Sequence, residues 1–248
     1  MHTRFLQYRN CYGQEIFFNN KTFLCESMEI SKATARYNAH TPISNDGQVT
    51  SDYYCSPLPM RFSCALYDPK DLIANRRLVD RVFSSLAPGE LTIRTDEGNF
   101  KITAHQTARP ELVRAGSHAW RFELEFIADD PYWKFGEENS KSLIVGNNTI
   151  VNYSSVAVPF RLKVTESGHL VNTTIGRGFS FGAPPSGVDY YIINTEDYSV
   201  KGSDGSDLNY LLNPTNLENA ALLPGTNIIW TQTAGLVLSW DELRGMVI

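Results

Sequence analysis

Along most of the chain, apolar residues recur at every second position, the period of a strand with one buried face. Near the start, Ile16-Phe17-Phe18 and Phe23-Leu24 flank Asn19-Asn20. This predicts a hairpin up to about Ile30, with the asparagines taking the unusual backbone angles of its turn. Ser31–Ser56 is polar and carries Asn45-Asp46-Gly47. With so little apolar patterning it reads as a long excursion outside the core, and Asp-Gly marks a turn within it. In a structural protein, such an excursion would grip a neighbour.

The period changes to that of a helix once. Leu72, Val79, Val82, Phe83 and Leu86 form one stripe, while Arg76, Arg77, Asp80 and Arg81 fall largely off it. Asp68 is the expected cap and Pro69 suits the first helical position. Pro88-Gly89 is the expected stop, so the helix is predicted over Asp68–Leu86. Alternation then returns in Leu91 and Ile93, the turn Asp96-Glu97-Gly98-Asn99, and Phe100, Ile102 and Ala104. The clearest strand is Trp120–Phe126. Trp120, Phe122, Leu124 and Phe126 share one face, and Arg121, Glu123 and Glu125 the other. A slip of one residue would bury three charges, so its register is firmly set.

Lys134–Lys141 is polar and reads as a linker. The expected domains are therefore 1–135 and 136–248. The second half shows short strands with turn signals about every ten residues, as in a sandwich. Its candidate strands are Leu143–Val145, Thr149–Val151, Val158–Val164, Leu170–Ile175, Phe179–Phe181, Tyr190–Ile193, Ser199–Val200, Asn227–Thr231 and Leu236–Trp240. No internal repeat is evident. Residues 236–248 either stay with this sandwich or fold back onto the first domain. The fold class is mainly β with one flanking helix.

Charge narrows the function. The chain has 22 Lys+Arg against 27 Asp+Glu in 248 residues, and no basic run to grip phosphates or an anionic membrane. Met1–Gln14 has no apolar segment of the signal-peptide kind, and no stretch has the length and apolarity of a membrane span. Synthesis in the cytoplasm is expected. Cys11, Cys25, Cys55 and Cys64 include no C-x-x-C pair, so they are expected to be reduced, mostly buried side chains rather than a zinc site or disulfides.

Nothing in the sequence assembles a catalytic constellation. His2, His40, His105, His118 and His169 are scattered. His105 and His118 flank strands of one meander and are the one pair placed to meet. Asp129-Asp130 are adjacent and so point to opposite faces, which suits a turn before Pro131 better than acid–base chemistry. Phosphate-cradling and nucleophile-elbow motifs are absent. No catalytic, cofactor or metal residue is assigned. Tyr190, Tyr191, Tyr198, Tyr210, Trp230 and Trp240 are candidates for a sugar platform, but most alternate in phase with apolar neighbours, so core packing is expected.

In order, these features resemble the siphophage distal tail protein family. The residues that carry the resemblance are Phe122-Glu123-Leu124-Glu125-Phe126, Asp130-Pro131-Tyr132-Trp133, Val158-Pro159-Phe160-Arg161-Leu162, Tyr191-Ile192-Ile193-Asn194-Thr195 and Leu222–Trp230 with its Leu223-Pro224-Gly225-Thr226-Asn227. The family more often has Asp at the position of Asn194, and both residues serve turns.

The resemblance implies an N-terminal β-sandwich or split barrel like that of tail-tube proteins, forming a six-fold ring, and a C-terminal galectin-like sandwich. It implies a non-enzymatic hub at the virion tail tip, assembled in the host cytoplasm. The ring, single or doubled back to back, would join the tail tube protein to the tail-tip hub and in some phages to receptor-binding proteins. DNA would pass through its lumen unbound. A lumen lined by acidic or neutral groups would suit that passage. Other readings remain: a carbohydrate-binding module acting through the second domain, and a cell-wall hydrolase.

Overall fold

The computed structural model describes residues 5–19, 21–40, 49–67, 71–212, 217 and 220–245. Its chain is mainly β with one α-helix among the described residues. It divides into two compact units, Met1–Trp133 together with Gly245, and Lys134–Arg244.

Among the described residues the first unit has ten strands: β1 (Phe5–Arg9), β2 (Glu15–Phe18), β3 (Phe23–Ile30), β4 (Ala35–His40), β5 (Val49–Cys55), β6 (Leu58–Tyr67), β7 (Gly89–Arg94), β8 (Asn99–Gln106), β9 (Val113–Arg114) and β10 (Ala119–Ala128). One sheet runs β2-β1-β7-β8 and the other β8-β10-β6-β3. β8 serves both, pairing Gly89–Arg94 through most of its length and β10 through His105 and Gln106. Aromatic rings join the inner faces. Tyr8 meets Phe126 at 4.9 Å, and Phe18 meets Phe122 at 6.4 Å. The predicted alternation of β10 holds, with Phe122, Leu124 and Phe126 buried and Arg121, Glu123 and Glu125 exposed.

The hairpin predicted around Asn19 does not form: β2 pairs with β1 and β3 with β6, so the chain crosses between the two sheets at Asn19. Asn19 takes a left-handed φ of 68°, and its Oδ1 accepts from the Cys25 N–H at 3.1 Å. Asn20 lies outside the described residues.

The single helix, α1, spans Leu72–Val82 and is shorter than the predicted Asp68–Leu86. The expected caps Asp68 and Pro69 lie outside the described residues. Asp71 takes the N-cap position, its carbonyl accepting from Asn75 N–H at 2.9 Å. Val79, Val82 and the C-cap Phe83 are buried, each contributing about 1.5–3 kcal/mol. Phe83 stacks on Tyr8 at 5.3 Å. The helix ends before Leu86, which is exposed, because the Ser84 hydroxyl and amide both turn back to the Arg81 carbonyl. Gly89 does not stop the helix; it begins β7. A Cβ there would meet the Arg9 carbonyl at 2.5 Å, so this close approach requires glycine.

Two polar stretches taken for irregular chain are strands. Within Ser31–Ser56, β4 and β5 pair with each other as a separate two-stranded sheet; the turn Asn45-Asp46-Gly47 lies outside the described residues. Lys134–Lys141, expected as a linker, belongs to β11 (Trp133–Ser142). Ladder hydrogen bonds come from the backbone, so a strand at a solvated face needs no apolar row.

The second unit adds β12 (Gly146–Asn152), β13 (Arg161–Val164), β14 (Gly168–Asn172), β15 (Arg177–Phe181), β16 (Tyr191–Asn194), β17 (Ser199–Gly202), β18 (Gly225–Thr231) and β19 (Val237–Arg244). One sheet is ordered β17-β16-β13-β19-β11 and the other β12-β18-β14-β15. They form a sandwich. Its core includes Leu162, Val164, Ile193 and Leu238 from the first sheet and Ile150, Leu170, Phe179 and Ile229 from the second. Leu143–Val145 is a turn rather than a strand, and Val158 makes only a bridge to Leu222. Val237–Arg244 stays with the sandwich by pairing with β13; residues 246–248 lie outside the described ones.

Candidate interaction surfaces

The candidate chemistry of the first unit resolves into turns and pairs. His105 Nδ1 lies 4.0 Å from Asp129 Oδ2, so its neighbour is a carboxylate rather than His118. Asp130 Oδ1 accepts from the Tyr132 N–H at 3.1 Å, the turn role expected before Pro131. Among the described residues no three His, Cys, Asp or Glu side chains are grouped to hold a metal ion. The four cysteines are free thiols, and only Cys64 is fully buried, against the expectation that most would be. Cys25 and Cys64 are directly opposed across β3 and β6. Burial drives the Cys64 thiol well above the usual thiol range, while a hydrogen bond from Cys64 lowers Cys25. Among the described residues no helix is long and apolar enough to cross a membrane.

The outer face of β3, β6 and β10 is laced with charge. Arg61 on β6 stands opposite Glu29 on β3 and Glu125 on β10. Its guanidinium pairs with Glu123 and reaches Glu125 at 3.5 Å, and these carboxylates raise its pKa further. Arg121 pairs with Glu26 at 3.2 Å. Four carboxylates therefore surround two guanidiniums, and the face is net acidic. A cleft of about 600 Å³ opens along it, lined by Arg109, Glu111 and Arg121 among others. These pairs are largely solvated, so each adds little stability; they set the face's polarity.

The β4–β5 pair is a different kind of surface. It belongs to neither sheet of the first unit. A two-stranded ribbon by itself is marginal in water, so its stability rests on what it packs against. At another part of this unit, Tyr12 and Leu86 are exposed apolar side chains. Their loops are joined by a Cys11 Sγ–Ser85 Oγ contact of 3.5 Å.

In the second unit the six aromatic candidates separate. Tyr191 and Trp240 are buried. Tyr191 donates to the Gly182 carbonyl at 2.5 Å, and burial pushes its hydroxyl pKa up. Tyr198 and Tyr210 are exposed, and Tyr190 lies half-buried beneath Lys163 Nζ, 3.8 Å from its ring centre. Trp230 is half-buried and points away from the core, because Ile229 and Thr231 on either side of it are buried inward. The expectation of core packing thus holds for two of the six. Phase against neighbours was the available signal: Trp230 alternates with buried residues rather than sharing their face.

Buried asparagines organise the ends of this sheet. Asn227 Oδ1 accepts from the Leu223 N–H at 2.9 Å, and its Nδ2 donates to the Leu223 carbonyl at 2.8 Å and that of Gly225 at 3.2 Å. Asn148 repeats the pattern with Ile144 and Gly146: 2.9, 2.8 and 3.1 Å. Gly225 and Gly146 both have positive φ, 89° and 98°. Two copies of one five-residue loop therefore feed β12 and β18, which pair with each other. Leu223–Asn227 was legible as a turn feeding a strand. Its twin was missed, although Gly-x-Asn at the same spacing marks both.

No known family profile and no curated protein matches the sequence. Solved structures do resemble it. The SPP1 Dit protein, described as a paradigm of the hub adsorption apparatus in phages infecting Gram-positive bacteria, superposes with a TM-score of 0.75 at 12% identity, over 96% of this chain and 98% of that one. A chain of the phage P2 baseplate, in its activated conformation with calcium, gives 0.61 at 11% identity over 100% of both chains. The strontium form of that baseplate gives 0.61 at 11% identity, over 98% and 99%. Over nearly its whole length, the chain has the fold of a phage distal tail protein.

Proposed function

We propose that this protein is a structural hub of a phage tail tip, with no catalytic role. The observation that carries the reading is the fold likeness to the SPP1 hub protein over 96% of the chain. In this reading, the first unit closes a six-fold ring, single or doubled back to back, between the tail tube and the tail-tip hub. The second unit is the galectin-like sandwich that meets other tail components, receptor-binding proteins among them. The particle is assembled in the host cytoplasm and leaves as part of the virion.

Physical features of the first unit support this role. The β4–β5 ribbon pairs with neither sheet of its own unit and is the candidate grip on the next subunit. A closing ring uses heterologous interfaces, and stable ones bury on the order of 2,000 Å². The acidic outer face of β3, β6 and β10 has the polarity a DNA conduit requires, since like charge keeps phosphates from sticking.

Negative-stain microscopy and light scattering of the full chain test the reading. Six-fold rings are expected, and deleting 35–55 should reduce them to monomers that still fold. A monomer at high concentration, with no ring formed on adding tail-tube protein, would overturn it. A ring whose lumen is strongly positive would overturn the conduit.

A further inference from the structure

The outer face of the β12-β18-β14-β15 sheet differs from the other exposed faces in lacking charge. Its outward positions are Asn147, Thr149 and Val151 on β12, Thr226, Ile228 and Trp230 on β18, His169 and Val171 on β14, and Gly178 and Ser180 on β15. None is Asp, Glu, Lys or Arg, in a chain that is 20% charged. Lys141 meets this sheet at its β12 edge, donating to the Thr149 carbonyl at 2.6 Å.

Trp230 stands in the middle of the face. Asn147 is directly opposite on one side and Val171 on the other. Beyond Val171 the row ends in Gly178. A Cβ at Gly178 would meet the Leu170 carbonyl at 2.5 Å and Val171 Cγ2 at 2.8 Å. That flank of the indole is therefore kept low. On the diagonal, the His169 ring stands edge-on to Trp230 at 6.3 Å. Its Nδ1 is 2.9 Å from Ser180 Oγ. A flat aromatic surface is thus bordered by an amide, an imidazole and a hydroxyl, all able to donate and accept.

The geometry points to this face as a binding site for a neutral hexopyranose, with Trp230 as the platform. A pyranose has an apolar C–H face and a rim of hydroxyls. The indole complements the first, and Asn147, His169 and Ser180 complement the second. An uncharged face neither attracts an ionic ligand nor repels a neutral one. The site is open, so dissociation constants on the order of millimolar are expected. It does not depend on ring formation.

The test is saturation-transfer NMR on the full chain with lactose, maltose, cellobiose and N,N′-diacetylchitobiose. At least one should receive saturation at its ring protons. Trp230→Ala should weaken that binding about tenfold or more, and Trp230→Phe should retain part of it. Tyr12→Ala, removing an exposed aromatic of the first unit, should leave it unchanged. If Trp230→Ala perturbs folding, Asn147→Asp and His169→Ala at the rim serve instead, each weakening binding. No transfer to any of the four sugars overturns the site, as does transfer that survives loss of Trp230. Loss of co-assembly with tail proteins in Trp230→Ala, without sugar binding in the parent, would assign the face to a protein partner and also overturn it.

Discussion

Two exposed sheet faces of this protein are tied down in opposite ways. On β3, β6 and β10 of the first unit, long charged side chains lie across the strands, Arg61 among Glu29, Glu123 and Glu125. In the β12-β18-β14-β15 sheet of the second unit the face is uncharged, and order comes from amides folded inward at its ends, Asn148 and Asn227. Solvated ion pairs contribute weakly and fade with salt. Buried amides contribute more and ignore salt, because each holds several uncharged hydrogen bonds at once and leaves them unmade when lost. The first face is built to present a field, and the second to present a shape.

The largest effect that would break this contrast lies in the amide loops. Asn227 is fully buried and also accepts from Asn172 Nδ2 at 3.2 Å. Asn227→Ala leaves the Leu223 amide and carbonyl unpaired and should cost about 2–4 kcal/mol. Hydrogen exchange should accelerate in β12 and β18, equally at low and high salt. A loss that salt modulates would show that the two units are not tied differently.

A smaller effect separates two buried tyrosines. Tyr191 has its carbonyl partner, whereas the Tyr8 hydroxyl is buried with none. Tyr191→Phe should cost about 1 kcal/mol, while Tyr8→Phe should be neutral or slightly stabilising by denaturant unfolding. Burial pushes the Tyr8 pKa from 10.0 up to about 12 and moves Tyr191 the same way. A raised folded-state value means the folded chain holds the proton more tightly. The stability this contributes is fully present below pH 10 and is lost as pH rises through about 12. Tyr8→Phe should flatten part of that alkaline decline.

The smallest effect belongs to the charged face. Arg61→Ala should lower stability only slightly at low ionic strength, and the difference should vanish in about 1 M salt. A large, salt-resistant loss would mean that Arg61 packs rather than merely pairs.

Strand faces were legible wherever one side is buried. The inward row of β10 and the alternation of Leu236, Leu238 and Trp240 come straight from residue type, since a slip would bury charge. The charged face of β10 was equally visible as Arg121, Glu123 and Glu125. β4, β5 and β11 were not legible as strands, because their ladders rest on backbone hydrogen bonds and their side chains carry no run of large aliphatic residues at every second position. The helix was placed correctly but overextended, since Leu86 fits the stripe while the Ser84 turn ends the helix.

The sequence by itself therefore determined the β class, the single helix, the register of the amphipathic strands and the turn at Leu223–Asn227. These follow from local periodicity and turn chemistry. Only the tertiary structure decided that β4 and β5 pair apart from both sheets, that Ile144–Asn148 copies the later loop, and that Trp230 stands on an uncharged face beside His169. Each depends on which strands become neighbours, and that choice is made by long-range backbone pairing that no local pattern encodes.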